Sequence, residues 1–219
     1  MNKYRKLFLL PPVFLLILNS CIGVSADIQM SKDGSGKIIL EYRFSRRAEA
    51  IGRLDGNEGW PIIPVGRADW ERSIARITNM RLVSFSGGED AKDIVNKVTL
   101  EFKNTEALLK FLDPFGKRVS LDRANGSNKL HITLSEPVSP ETNAYLLDLT
   151  RQLSAGYKFR ISFAAEGNSA MTITDGAGMA VTPPAAAEII SQGKKVSLSI
   201  DTREILTGAD GLGMDISWK

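Results

Sequence analysis

Cys21 and His131 carry the strongest nucleophilic and metal-binding side chains in the chain, and each is the only residue of its type among 219. Cys21 ends an apolar N-terminal segment, so it is not available for a Cys–His nucleophile or for the usual zinc-ligand sets. A Ser–His–Asp triad would have to use His131, and no G-x-S-x-G motif supplies the serine. His131 lies between Leu130 and Ile132 on the polar face of a predicted strand, which indicates a surface or edge residue. The sequence therefore predicts no catalytic residue and no metal site.

Residues 1–20 have the order of a secretory signal peptide, with a basic start and then an apolar run from Leu7 to Leu18. The segment resembles bacterial lipoprotein precursors, whose lipobox places Leu three residues before, and a small residue directly before, a Cys that becomes lipidated. Leu18, Ser20 and Cys21 match this pattern. The resemblance implies cleavage between Ser20 and Cys21, a lipid on Cys21, and an exported protein held on a membrane of the bacterial cell envelope.

Two alternatives to lipidation remain open. An uncleaved transmembrane anchor is one, although the apolar run is shorter than the roughly 20 residues that a spanning helix needs and contains Pro11-Pro12. The other is ordinary secretion with cleavage after Val24-Ser25-Ala26, which fits a small-x-small site. If Cys21 is the lipidated anchor, the five residues 22–26 after it are expected to form a tether of at most about 18 Å. Residues 27–219 are then expected to fold as one domain close to the bilayer, and a domain boundary near Pro183-Pro184 is the weaker alternative.

The net charge of +3 belongs to the N-terminal segment. Removing residues 1–20 takes away three basic residues and no acid, so the remaining 25 Lys and Arg balance 25 Asp and Glu. A neutral body has no electrostatic footprint for a nucleic acid. The basic pairs Arg46-Arg47, Lys117-Arg118 and Lys194-Lys195 indicate solvated surface, with anionic headgroups as partners if the body lies close to a membrane.

Three D-G-x-G tetrads, at Asp33–Gly36, Asp175–Gly178 and Asp210–Gly213, could serve as calcium loops or as turns. Each tetrad offers one carboxylate, whereas calcium takes six to eight oxygens and commonly several carboxylates. The residue types therefore favour turns, and no cofactor is predicted.

Alternating apolar residues predict strands, and caps with helical spacing predict helices. Helices are expected from Asp69 to about Asn79, from Asn104 to Leu112, and from Ser139 to Gly156 with Leu146, Leu149 and Leu153 on one face. Strands are expected at Ile28–Met30, Ile38–Phe44, Arg81–Ser86, Ile94–Phe102, Val119–Leu121, Leu130–Leu134, Tyr157–Phe163, Met171–Thr174, Val196–Ile200 and Met214–Trp218, with turns at Asp33–Gly36 and Asn125-Gly126.

This order predicts an α+β fold, in which a mostly antiparallel sheet built from hairpins has about three helices packed on one face. The opening Asp33–Gly36 with Ile38–Tyr42, and the closing Ile216–Trp218, are similar to the LppM-type domain of envelope lipoproteins. That resemblance implies a β-rich, membrane-tethered domain with a lipid or glycolipid as ligand, and no catalytic residues.

The sequence thus predicts a non-enzymatic binding or structural module of the cell envelope. The alternatives are a subunit of an envelope protein assembly and a carboxylate-dependent hydrolase. An irregular stretch from Ser45 to Arg67 is the predicted partner or ligand loop, through Trp60, Pro61, Ile62 and Ile63.

Overall fold

A computed structural model describes residues 22–46, 64, 66–124, 126–139 and 144–219. Those residues form four helices and eleven strands. In chain order the elements are β1 (Ile22–Met30), β2 (Gly36–Ser45), α1 (Arg67–Ile74), β3 (Met80–Glu89), β4 (Asp93–Phe102), α2 (Thr105–Leu112), β5 (Val119–Ala124), β6 (Ser127–Ser135), α3 (Ala144–Ser154), β7 (Lys158–Ala165), β8 (Ser169–Thr174), β9 (Glu188–Gln192), β10 (Lys195–Asp201), α4 (Thr202–Thr207) and β11 (Leu212–Trp218).

The strands form two sheets, where the sequence predicted one. The larger sheet has the strand order β3-β4-β2-β1-β7-β10-β9, and the smaller has the order β5-β6-β11-β8. Among these strands only β1 and β7 run parallel. The predicted α+β class with mostly antiparallel strands is confirmed, and strands adjacent in sequence pair as hairpins in both sheets.

The start of β1 corrects the predicted tether. Ile22, Val24 and Ala26 are buried at 1%, 3% and 6% exposure. Ile22 pairs with Phe44 of β2, and Val24 pairs with Phe159 of β7. The segment after Cys21 alternates apolar and polar residues, and this period of two is what a strand buried on one face requires. Residues 22–26 are therefore half of a central strand and part of the folded body rather than a tether.

One face of the larger sheet is buried and carries the core. Phe163 of β7 contacts Trp218 of β11, with ring centroids 4.8 Å apart, so the smaller sheet covers part of this face. Helix α1 covers another part, where the Trp70 ring lies 6.0 Å from that of Tyr42 in β2 and 6.4 Å from that of Phe111 in α2. The core thus lies between the larger sheet and a second layer of sheet and helices.

The predicted N-cap is confirmed for α2 but not for α1. Asn104 caps α2 as expected, since its side chain accepts the Ala107 N–H at 2.9 Å. In α1 the N-cap is Gly66, and Asp69 lies one turn in, accepting the Gly66 N–H at 3.1 Å. Leu149 lies on the predicted leucine face of α3 and is 37% exposed.

Some predicted features lie outside the residues that the structure describes, and two observed elements were not predicted. The predicted start of α3 at Pro140-Glu141 and the turn residue Asn125 lie outside these residues, as does the side chain of Leu146. The elements α4 and β9 were not predicted. Within the described ranges, no helix combines the length and the apolar composition needed to cross a membrane.

Candidate functional site

Two adjoining cavities lie where β1 ends, at what we call the Met30 end of the larger sheet; the opposite end is the Ile22 end. Their volumes are about 1210 and 670 Å³. They lie on either side of the turn between β1 and β2. The residues that line both are Met30, Ser31, Asp33, Ala165, Glu166 and Lys194.

The turn that separates the cavities is held by Asp33. Its Oδ1 accepts the Ser35 N–H at 3.0 Å and the Ser35 hydroxyl at 2.6 Å. These hydrogen bonds favour the charged carboxylate and hold the pKa of Asp33 below its usual value. Gly34 adopts φ +82°, a left-handed conformation that glycine takes without strain. The first D-G-x-G tetrad therefore works as a turn and fixes the rim of both cavities.

Apolar side chains form the inner walls. Phe102 lines the larger cavity and Trp218 the smaller one, and they are only 2% and 8% exposed. Gly36 lies beside the Phe102 ring, and a Cβ at this position would come 2.5 Å from it and 2.1 Å from the Gln29 carbonyl oxygen. A side chain at Gly36 would therefore force the β1–β2 hairpin out of register.

The rims are charged, and cations exceed anions. Glu101 is engaged by Arg81, whose Nε donates to Oε2 at 2.9 Å, and by Lys37 at 4.0 Å. The other acids are Asp33 and Glu166. Within the described part of the chain, five lining cations have no ion-pair partner: Lys32, Lys103, Arg123, Lys194 and Lys219.

This arrangement suits a negatively charged polar ligand. Lysine and arginine bind carboxylate and phosphate oxygens through charge-assisted hydrogen bonds, which are stronger than neutral ones. The cavities are open to solvent, so a ligand would present its charged groups to the cations of the rim. The described residues contain no group of three or more His, Cys, Asp or Glu side chains that could hold a metal ion.

Comparison with protein-family models, curated proteins and solved structures finds no match. The site must therefore be interpreted from its own geometry.

The predicted site residues are not among those whose positions the structure describes. Ser20, Cys21 and Trp60 to Ile63 lie outside the described residues. The loop that contains Trp60 follows the end of β2, and Pro64 is fixed behind it because its carbonyl oxygen accepts the Tyr42 hydroxyl. Burial raises the pKa of Tyr42, and the Trp70 Nε1–H donates to the Tyr42 oxygen at 3.0 Å. Arg46 and Pro64, the described residues on either side of this predicted loop, line neither cavity.

His131 has a partner that the sequence did not reveal. Its Nδ1 lies 2.7 Å from Asp215 Oδ1, and Lys129 Nζ lies 2.6 Å from Asp215 Oδ2. Thr133 Oγ1 lies 3.4 Å from Nε2. These side chains lie on the outward face of the smaller sheet and line neither cavity. Because strand pairing brings together residues 84 positions apart, no local pattern could have indicated the pair.

The other two tetrads also lie in turns, away from the cavities. Asp175 Oδ1 accepts the N–H groups of Ala177 and Met179 at 2.9 and 2.8 Å. The Gly176 N–H donates to the Asp210 carbonyl oxygen at 3.0 Å, so the second and third tetrads contact each other. This close approach explains Gly176, where a Cβ would come 2.7 Å from the Asp210 carbonyl oxygen.

The basic pairs divide between different surfaces. Lys194 lines both cavities, whereas its neighbour Lys195 points to the outer face of the larger sheet and pairs with Asp27 at 3.1 Å. Arg46 pairs with Glu89 at 3.1 Å. The sequence identified Lys194 as basic but gave no signal for Lys103 or Arg123, which tertiary folding brings to the same end of the molecule.

Proposed function

We propose that the protein is a cell-envelope lipoprotein, anchored to a membrane by lipid on Cys21, that acts as a non-enzymatic binding module. The observation that carries the proposal is that Ile22, the residue after the lipobox residues Leu18, Ser20 and Cys21, is already buried and paired in β1. A signal peptide removed before Cys21 would leave in place every residue that the structure describes.

The alternative cleavage after Ala26 fits the structure poorly. It would remove the buried residues Ile22 and Val24 from the middle of the larger sheet. It would also remove the Ile22 carbonyl oxygen that accepts the Thr202 hydroxyl at 3.2 Å. A mature chain that starts at Asp27 would expose the apolar surfaces of both neighbouring strands to water.

The cavities would face away from the membrane. β1 has nine residues, which at about 3.3 Å each places the Met30 end roughly 30 Å from the anchor. A ligand would therefore be reached in the aqueous envelope space rather than within the bilayer.

The charged rims favour a ligand with phosphate or carboxylate groups. Of the lipid and glycolipid ligands implied by the LppM-type resemblance, the polar headgroup fits the cavities better than an acyl chain, because Lys103, Arg123 and Lys194 would interact with anionic oxygens. The proposal includes the expected layer of helices on one sheet face. The contacts of Trp70 with Tyr42 and Phe111 support it for α1 and α2.

The alternative functions have less support. A carboxylate-dependent hydrolase needs an acid with a raised pKa, whereas the pKa of Asp33 is lowered and Glu101 is engaged by two cations. A subunit of an envelope assembly would use the loop Trp60 to Ile63, which is outside the described residues.

The anchor is tested with Cys21→Ala expressed in a bacterial host. We expect the wild type to partition with membranes and to carry the mass of a lipid on its N-terminal peptide, and the variant to lose both. Membrane partition of the variant through an unchanged mature form would contradict the proposal.

The ligand class is tested by titrating the protein with glycerol phosphate and, as a neutral control, with glycerol, followed by NMR. Lys194→Gln with Arg123→Gln should weaken phosphate binding by about tenfold, equivalent to about 1.4 kcal/mol. Lys97→Gln is the matched control, because Lys97 is exposed on the outer face of β4. Equal binding of glycerol, or equal loss in the control, would contradict an anionic ligand at these rims.

A further inference from the structure

The anchor proposed above would hold the Ile22 end of the molecule directly against the bilayer. Consecutive Cα atoms are 3.8 Å apart, so Cys21 cannot lie farther than that from Ile22. Ile22 is itself buried at 1% exposure and is part of β1, so no flexible segment separates the lipid from the body. The surface that surrounds Ile22 must then lie at the depth of the headgroups, which are about 5–8 Å thick in each leaflet.

Helices α3 and α4 occupy this end of the molecule. The first residue of α4, Thr202, donates its hydroxyl to the Ile22 carbonyl oxygen. The last residue of α3, Ser154, accepts the Tyr157 N–H at 3.1 Å, and Tyr157 in turn accepts the Thr202 N–H at 3.0 Å. A short chain of hydrogen bonds therefore connects the end of α3 to the start of β1.

The two helices run antiparallel across the end of the molecule. Val138, which precedes α3, donates its N–H to the carbonyl oxygen of Ala209, which follows α4, at 3.2 Å. The other ends of the helices meet at Tyr157 and Thr202, and the helices contact each other along their lengths. Both helices thus cross from one sheet to the other at the Ile22 end.

Helix α3 is the outer layer of the pair. In α4, Thr202 and Ile205 are buried at 2% and 0% exposure. In α3, Ser154 is the only buried side chain among those the structure describes, whereas Tyr145 is 71% exposed and Leu149 is 37% exposed. These two residues are four apart and lie on one side of the helix.

We infer that α3 is a membrane-contacting helix whose outer side, with Tyr145 and Leu149, lies in the headgroup region of the bilayer that holds Cys21. A tyrosine and an apolar side chain exposed on one side of a helix are typical of interfacial segments, because the ring and methyl groups enter the boundary of the acyl chains while the polar groups stay hydrated. This inference rests on the proposed lipid anchor, and it explains why apolar side chains are exposed beside the entry point of β1.

The test uses the full-length protein, purified from membranes and reconstituted into phosphatidylcholine vesicles that contain a nickel-chelating lipid. Leu149→Cys provides a thiol for a nitroxide label, because lipidation blocks Cys21. Lys32→Cys is the control, since Lys32 is exposed in the turn after β1, at the opposite end of the sheet. We expect headgroup nickel to relax the label at position 149 severalfold more strongly than the label at position 32.

The outcomes separate the membrane contact of α3 from the lipid anchor on Cys21. Flotation of both labelled proteins with the vesicles, together with strong relaxation at position 149 alone, supports the contact. Flotation with equal relaxation at the two positions overturns the contact and leaves the anchor in place. Loss of flotation, with no lipid mass on the N-terminal peptide, overturns the anchor and the contact together.

Discussion

The position at which the mature chain starts should determine whether the larger sheet is stable. We compare a body that starts at Ile22 with one that starts at Asp27. The shorter body lacks Ile22 and Val24, which are 1% and 3% exposed. Burial of such side chains contributes about 1.5–3 kcal/mol each, so their loss removes about 3–6 kcal/mol. The lost ladder hydrogen bonds and the conformational entropy regained by five residues offset each other to a first approximation.

A loss of this size is large compared with a total stability of about 5–15 kcal/mol. With a denaturant slope of about 2 kcal/mol per molar urea, the midpoint of unfolding should fall by about 1.5–3 M. Urea titration followed by tryptophan fluorescence measures this shift, since Trp70 and Trp218 are buried in the core.

Point variants separate the contribution of side-chain burial to stability from the effect of shortening the chain. Val24→Ala should lower the free energy of unfolding by about 1–3 kcal/mol. Ser25→Ala, on the outer face of the same strand, should change it by less than about 0.5 kcal/mol. Equal stability of the two bodies within about 1 kcal/mol, or equal effects of the two point variants, would refute the assignment of residues 22–26 to the folded body.

Three further predictions concern single buried groups. Tyr42→Phe should cost about 1–3 kcal/mol in a thermal melt, because the buried Trp70 Nε1–H loses its acceptor; an unchanged melting temperature would contradict this role. Asp113→Asn should destabilise the protein by about 1–3 kcal/mol at pH 7. Burial tends to raise the pKa of Asp113, but hydrogen bonds from four backbone N–H groups outweigh burial and hold the pKa below its usual value. The stabilising effect of this carboxylate is therefore present above its unfolded-state pKa and is lost as the pH falls through its folded-state pKa. The melting temperatures of variant and wild type should therefore converge in acid. A difference in melting temperature that does not depend on pH would contradict this role of the carboxylate. Gly211→Ala should lower the urea midpoint more than Gly126→Ala, because both have positive φ but only at Gly211 would the new Cβ lie 2.8 Å from a backbone nitrogen; equal shifts would show that the close approach does not matter.

The sequence was most informative where one local pattern decided the structure. The alternation of Ile38, Leu40, Tyr42 and Phe44 predicted a strand with one buried face, and all four are buried. The Asn104 cap was readable because an N-cap depends on residues only three positions away.

The misses have a common physical cause, which is that tertiary contacts decide them. Residues 22–26 contain small side chains typical of a tether, yet β2 and β7 bury them on both sides. Leu149 has the spacing of a core residue, but α4 occupies the inner layer and leaves it exposed. The cavities combine Lys103, Arg123 and Lys194, which come from three distant segments, so spacing along the chain could not reveal them.

The parallel pairing of β1 with β7 bears on how the chain would fold under the export proposed above. In the β1–β2 hairpin Val24 pairs with Tyr42, which is close in sequence. In the parallel pair Val24 pairs with Phe159, about 135 residues later. Contacts between residues so far apart form slowly, because a long loop must close first. A chain that crosses a membrane with its N-terminus leading could form the β1–β2 hairpin early but would complete the larger sheet only after β7 and β10 had emerged. The central position of the first strand would thus keep the chain open during transport and delay final folding until almost all of it has crossed.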